Sequence, residues 1–354
     1  MADKTQTWSN LSDERLLDVR LCDLKLRVKS SPLAPRIEQL HDELVRAGLR
    51  FRPHVWLSTE WFTPDGNPGI AMPFYLAHPR LIRLERKMML EVDGGTKVSC
   101  QRILRHEAGH AINNAYRLHH RRGWQQTFGK FTQPYPAFYQ PKPYSRSYVV
   151  HLDSWYAQSH PSEDFAETFA VWLTPGSRWR ERYRGWSALA KLEYVDAVMR
   201  QIAKRIAPVR TRARQESVAE LRLTLREYYD EKRWRYGADR PRLFDRDLFR
   251  LFARPPVPMT GTRLRTASVA LPSGSTFAAD FLRTHRRDLR REVAQQTGQY
   301  QYTVDRVLTE MIQRCDTLKL YLNRPADRLK KETLILLAVV TMNYVREGHH
   351  RVPL

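Results

Sequence analysis

The feature that most constrains this chain is a His-Glu-x-x-His motif formed by His106, Glu107 and His110. We predict that it lies on a long helix over 97–118, where histidines four positions apart share one face, about one turn from each other. Both imidazoles can therefore reach a single metal ion. Zinc binds imidazole nitrogen at about 2.0–2.1 Å and keeps one position for water in catalytic sites. The carboxylate of Glu107 lies beside that face, where it can accept a proton from such a water.

A zinc site of this kind needs a third protein ligand, and the sequence offers several candidates. In one common zinc peptidase pattern a histidine follows the second ligand by six residues, but Tyr116 occupies that position. His119 lies nine residues after His110, which at about 100° per residue places it on the opposite side of the helix. A carboxylate from a second helix remains, and residues 163–167 contain Glu, Asp and Glu.

The second predicted helix, over about 161–175, has a composition suited to packing on the motif helix. Glu163 and Glu167 share a face with Ala166 and Ala170, because residues three and four apart are neighbours on a helix. Small residues permit two helices to approach closely, whereas a solvent-facing surface usually carries long charged side chains. We therefore expect this face to pack against the helix that carries the two histidines.

The motif at 106–110 and the Glu-x-Phe-Ala-Glu motif at 163–167 together resemble the gluzincin branch of the zinc metallopeptidases. The second motif is most similar to that of the anthrax lethal factor catalytic domain and of bacterial zinc-binding metallopeptidases. The likeness covers about residues 95–175. It implies that Glu163 is the third zinc ligand and that Glu167 orients a ligand histidine, His106.

The resemblance also implies a mechanism, in which Zn2+ activates a water and Glu107 is the general base for hydrolysis of a peptide bond. The lethal factor domain places a tyrosine seven residues before its ligand glutamate, and Tyr156 occupies that position here. A phenol near the metal can donate a hydrogen bond to the oxyanion of a tetrahedral intermediate. His151 and His160 are the alternatives for this role and for that of Glu163, although His160 also suits a helix start.

Composition limits the class of protein. The 354 residues include three cysteines far apart in the sequence, which do not form the dense pattern of a disulfide framework. No apolar run approaches the roughly 18 residues of a membrane span, so we expect no membrane partner. The first residues contain no apolar stretch of the kind found in secretory signals, and we therefore expect a cytoplasmic protein.

The net charge favours an anionic partner. The chain has 60 Lys+Arg and 38 Asp+Glu, a formal net charge of +22. We expect a peptide or protein substrate, with acidic or nucleic-acid-associated substrates as the narrower hypothesis. No nucleic-acid-binding motif accompanies the arginines.

The alternative function is a basic protein that binds nucleic acid or another polyanion and carries a structural zinc site. Structural zinc sites are usually closed by four protein ligands and rich in cysteine. No cysteine neighbours either motif in this sequence. The residue pattern therefore favours the peptidase over the binding protein.

The chain as a whole predicts an α+β fold, with a zincin-like peptidase domain over 1–235 and a mostly helical C-terminal domain over 276–354. Residues 236–275 carry proline and arginine at many positions, which indicates a linker or a wrapping segment. Extended stretches bounded by turn residues are expected in the first domain at 55–58, 70–76 and 81–84.

Overall fold

The computed structural model of the chain describes residues 7–136, 142, 145–236, 245–254 and 276–345. The chain forms two compact units, which divide between Glu231 and Lys232. Among the described helices, none combines the length and the apolar character that a bilayer span requires.

The first unit is mostly helical and contains a small parallel sheet. The sheet pairs β1, Val55–Ser58, with β2, Ile70–Pro73. Its α-helices are α1 (Asp13–Leu17), α2 (Ala34–Arg46), α3 (Pro79–Met89), α4 (Lys97–Tyr116), α5 (Arg122–Phe128), α6 (Pro161–Leu173), α7 (Trp179–Arg182), α8 (Ala188–Ile202) and α9 (Leu225–Tyr236), the last of which continues past the boundary.

Strand β2 has neighbours on both sides and is completely buried. The N–H of Ile70 donates to the carbonyl of His54 at 2.9 Å on the β1 side, and the N–H of Ala71 donates to the carbonyl of Phe62 at 2.8 Å on the other. The strands predicted at 55–58 and at the start of 70–76 are therefore confirmed. The end of the second prediction differs, because Phe74–Ala77 forms a 3-10 turn.

The strand predicted at 81–84 is wrong, because these residues lie in α3. Pro79 occupies the first helical position and the side chain of His78 caps the helix, so the helix begins here. Leu81 and Leu84 are buried at a spacing of three, which is helical. A short apolar run does not by itself distinguish a strand from a buried helix segment.

Helices α4 and α6 pack closely against each other in the first unit. Thr96 and Ser99 form a reciprocal capping box at the start of α4, and His160 caps α6. Gly109 of α4 faces Ala166 of α6 so closely that a Cβ on Gly109 would lie 2.8 Å from the Cα of Ala166. The close approach expected from the small residues is thus confirmed at Ala166.

The second unit is helical where the structure describes it, and it has its own apolar core, which is formed by residues from Leu248 to Val345. The predicted linker at 236–275 lies mostly outside the described residues, in 237–244 and 255–275. Within it, however, a helix forms, and its Leu248 is buried in this core. The helices are α10 (Asp245–Leu251), α11 (Ala278–Thr297), α12 (Gln301–Leu318) and α13 (Ala326–Tyr344).

Candidate metal centre

Three side chains from α4 and α6 meet at one point, which we call the α4–α6 cluster: His106, His110 and Glu163. The Oε2 atom of Glu163 lies 3.0 Å from the Nε2 atom of His106 and 3.1 Å from that of His110, and the two Nε2 atoms are 3.1 Å apart. Tetrahedral bonds of about 2.0–2.1 Å to zinc place ligand atoms about 3.3 Å apart. Two imidazole nitrogens and one carboxylate oxygen at this spacing could hold a metal ion.

Each histidine of the cluster is also held through its other nitrogen. The Nδ1 atom of His106 lies 2.8 Å from Oε1 of Glu167, and the other oxygen of this fully buried carboxylate accepts the N–H of Leu152 at 2.8 Å. The Nδ1 atom of His110 lies 3.2 Å from the hydroxyl oxygen of Ser162. Partners of this kind fix the tautomer and the ring plane of a metal-binding histidine, so that Nε2 offers its lone pair.

Two buried carboxylates give the cluster a strong attraction for positive charge. Burial alone would lower the pKa of His106, but contacts with Glu163 and Glu167 raise that pKa well above its usual value. Burial would likewise raise the pKa of Glu163, yet His110 and His106 hold it well below its usual range. A proton or a metal cation neutralises the negative charge of these carboxylates, whereas an uncharged occupant would leave that charge buried without a counter-charge.

Glu107 lies beside the cluster, and its carboxylate is fixed by a residue that the sequence did not reveal. Its side chain is buried, and its Oε2 accepts a hydrogen bond from the hydroxyl of Thr63 at 2.9 Å. Thr63 directly follows Phe62, whose carbonyl is bonded to β2. The sheet therefore positions the hydroxyl that holds Glu107. No local pattern marks a single threonine 44 residues away in the sequence.

The structure brings Tyr156 next to the cluster. Its ring lies against that of His106, with 5.6 Å between centroids and 51° between planes. Tyr156 belongs to the 3-10 turn Asp153–Gln158, which precedes α6. The tyrosine seven residues before Glu163 therefore lies beside a candidate metal ligand, His106.

A second tyrosine, Tyr135, contacts the cluster and was missed by the sequence reasoning. Its hydroxyl donates to Oε1 of Glu163 at 2.8 Å, the oxygen that does not face the histidines. Its ring stacks on His160, with centroids 3.8 Å apart and planes 16° apart. Burial and the neighbouring carboxylate raise the pKa of Tyr135, so the phenol keeps its proton and donates at neutral pH. Nothing in the sequence distinguishes it among 16 tyrosines.

The alternative histidines have other partners. The Nε2 atom of His151 lies 3.0 Å from the carbonyl of Arg102, and that of His160 lies 2.9 Å from the carbonyl of Gln133. His119 stacks on an aromatic ring instead. Within the part of the chain that the structure describes, the α4–α6 cluster is the group of donors close enough to hold a metal ion.

A comparison with known protein families agrees with this geometry. Residues 102–179 match the family model described as "Putative zinc-binding metallo-peptidase". The matched segment includes both histidines of the cluster, Glu163 and the two tyrosines beside them. No curated protein and no solved structure matches the chain. The match supports zinc binding and peptidase activity, while the finer resemblance to gluzincins and to the lethal factor domain stays a prediction.

Proposed function

We propose that this chain is a gluzincin-like zinc peptidase, which hydrolyses peptide bonds at the α4–α6 cluster. The observation that carries the proposal is the approach of the three donor atoms of His106, His110 and Glu163 to within 3.0–3.1 Å of one another. Two histidines and one glutamate are a usual ligand set of catalytic zinc. A zinc ion bound there would act as a Lewis acid and would activate a water.

We assign a role in this reaction to each residue around the cluster. Glu107 accepts a proton from the attacking water and passes it to the leaving amine. The hydrogen bond from Thr63 holds the Glu107 carboxylate in place for this transfer. Tyr156 donates to the oxyanion that develops on the substrate carbonyl. Glu167 and Ser162 hold the two histidines in their metal-binding orientation.

The geometry gives less support to a structural zinc site in a basic binding protein. Structural sites are usually closed by four protein ligands, often cysteines. The cluster found among the described residues has three donors, and none of them is a cysteine. Cys22, Cys100 and Cys315 are all free thiols elsewhere in the chain. A three-donor site leaves a position for water, as a hydrolase requires.

Substitution of the general base tests the proposal. Glu107→Gln keeps the size of the side chain but cannot take a proton, so the rate of peptide hydrolysis should fall about 10²- to 10⁴-fold. Zinc content, measured by elemental analysis, should remain near one ion per chain. Cleavage is followed by mass spectrometry of a mixed peptide library, and Glu38→Gln, at an exposed position, is the control for the chemical change.

A second variant in the same assay tests the assignment of the third zinc ligand. Glu163→Ala removes a donor and should lose both zinc and cleavage. If that variant retains zinc, Glu163 is not the third ligand, and His151 or His160 would be the alternative ligand. Cleavage by Glu107→Gln at the parent rate would contradict the mechanism.

A further inference from the structure

Among the described residues, a group of exposed cations on the first unit has no carboxylate partner, and we call this group the arginine surface. Its members are Arg50, Arg52, Arg117, Lys204, Arg205, Arg210, Arg212 and Arg214. No ion pair joins any of these side chains to a carboxylate within the residues that the structure describes. Some exposed arginines elsewhere do form ion pairs: Arg226, for example, pairs with both Glu14 and Asp18.

Contacts around Tyr116, at the end of α4, join the members of this surface. The ring of Phe51 lies 6.3 Å from that of Tyr116, whose hydroxyl donates to the carbonyl of Arg205 at 2.9 Å. The N–H of Val209 donates to the carbonyl of Ala115 at 3.1 Å. Consecutive Cα atoms are about 3.8 Å apart, so the cations that flank these residues in sequence lie close together.

The longest segment of the arginine surface, residues 204–214, contains no helix or strand. Hydrogen bonds from buried and half-buried side chains nevertheless hold its backbone in place. The carbonyl of Ala213 lies 3.1 Å from Nε2 of His54 and accepts a hydrogen bond from the amide of Asn67 at 3.0 Å. The carbonyl of Gln215 accepts the indole N–H of Trp56 at 2.8 Å. A backbone held in this way has little freedom left to lose on binding, which favours association through its guanidinium groups.

Like charges gathered on one face repel each other and weaken the folded state, so this arrangement suits an anionic partner. The guanidinium group of arginine binds a carboxylate through two parallel hydrogen bonds. Ile206, which is 76% exposed, places an apolar side chain among the cations. That combination fits a polypeptide with acidic side chains better than the uniform phosphates of a nucleic acid.

We propose that the arginine surface binds an acidic segment of the polypeptide substrate, an inference that rests on the proposed peptidase function. Arg117 follows His110 by seven residues and directly follows Tyr116, the last residue of α4, so about 10 Å of axial rise separates them. An extended chain covers that distance with about three residues. A substrate can therefore contact the arginine surface and the α4–α6 cluster at the same time.

Binding is measured first, in the Glu107→Gln protein, by fluorescence anisotropy of a labelled oligoglutamate peptide. The triple variant Arg210→Ala, Arg212→Ala and Arg214→Ala should raise the Kd about tenfold, since the loss of one exposed ion pair changes a binding constant about 1.5- to fivefold. Added salt should weaken parent binding, because it screens exposed charges. The control removes the same charge from other exposed positions, Arg184, Arg287 and Arg291, and should leave the Kd unchanged.

Cleavage is measured next, with the Glu107 carboxylate intact. Two peptides share a scissile sequence taken from the library, and one of them carries an acidic extension. The triple variant should raise KM about tenfold for the extended peptide, with kcat unchanged, and should leave the other peptide unaffected.

Two outcomes would overturn the proposal. In the first, the triple variant and its control bind oligoglutamate with the same Kd. In the second, a single-stranded oligonucleotide displaces oligoglutamate from these arginines and has a lower Kd. If the parent protein binds oligoglutamate but cleaves neither peptide, the result would instead contradict the peptidase function.

Discussion

Single hydrogen bonds determine which atoms of the α4–α6 cluster face each other. Glu163 presents Oε2 to the two histidines, while its Oε1 accepts the hydroxyl of Tyr135 at 2.8 Å. Since one oxygen is already bonded to a phenol, the carboxylate offers a single oxygen to a metal. Tyr135 is in this view a positioning residue, which acts on the reaction through Glu163.

Tyr135→Phe removes this bond and should weaken zinc binding about 10- to 100-fold, the usual cost of losing a hydrogen bond to a metal ligand. The affinity is measured by competition with a chelator. Tyr156→Phe is the matched control, because it makes the same chemical change beside His106. That variant should slow hydrolysis and keep the parent zinc affinity. Equal zinc affinity in Tyr135→Phe and the parent would show that Tyr135 does not position Glu163.

Zinc affinity should also depend on pH through His106. The pKa of His106 is raised by its two carboxylates, so the folded, metal-free chain holds a proton there that the unfolded chain would release near its usual value of about 6.5. That proton stabilises the metal-free fold below about pH 6.5, and its contribution is lost as pH rises through the raised pKa. Zinc must displace the same proton, so its affinity should rise with pH, by about tenfold per unit for one proton.

Calorimetric titrations in two buffers of different ionisation enthalpy give the number of protons released on zinc binding. We expect about one proton from His106 in the parent at pH 6.5. Glu167→Gln removes one of the carboxylates that raise the pKa and should release fewer protons. An affinity that is constant from pH 6 to pH 8 would contradict this account.

At the scale of secondary-structure elements, the site depends on how closely α4 and α6 approach. A Cβ on Gly109 would lie 2.8 Å from the Cα and 3.1 Å from the carbonyl oxygen of Ala166. These are backbone atoms, which cannot rotate away as a side chain can. Glu163 lies one turn before Ala166 and reaches His106 and His110 because the helices are this close.

Gly109→Ala should therefore push the two helices apart. We expect a loss of about 1–3 kcal/mol in the free energy of unfolding, as for other overpacked cores. Zinc affinity should fall in the same variant, because the donor atoms separate. Denaturant unfolding and chelator competition measure the two effects. Gly123→Ala is the control, since its nearest neighbours belong to the Tyr194 side chain, and both quantities should stay near the parent values.

These elements also show what could be predicted from the sequence. Helical spacing alone predicted that His106 and His110 share one face of α4. It also predicted that Glu163, Ala166 and Glu167 share one face of α6, because contacts within a helix repeat with its period. Thr63 and Tyr135 could not be predicted. Each is brought to the site by a non-periodic segment, across 44 and 28 residues of sequence respectively, and such contacts depend on the whole fold.

At the scale of the whole molecule, the candidate metal site and the second core belong to different units. The α4–α6 cluster lies in the first unit. The core of the second unit is formed by residues from Leu248 to Val345, and none of them belongs to the cluster. A unit with its own core can unfold in its own transition. Zinc should therefore stabilise the first unit without changing the second.

Scanning calorimetry checks this expectation. Free zinc at about 1,000 times its Kd adds about 4 kcal/mol to the stability of the state that binds it. The first unit spans Met1–Glu231, and for a unit of this size the added stability raises the unfolding temperature by about 10 °C. One transition should shift on chelation, and Glu163→Ala should abolish the shift. Leu308→Ala, at a completely buried position of the second core, should lower only the other transition. A single transition, or two transitions that both move with zinc, would contradict the independent unfolding of the two units.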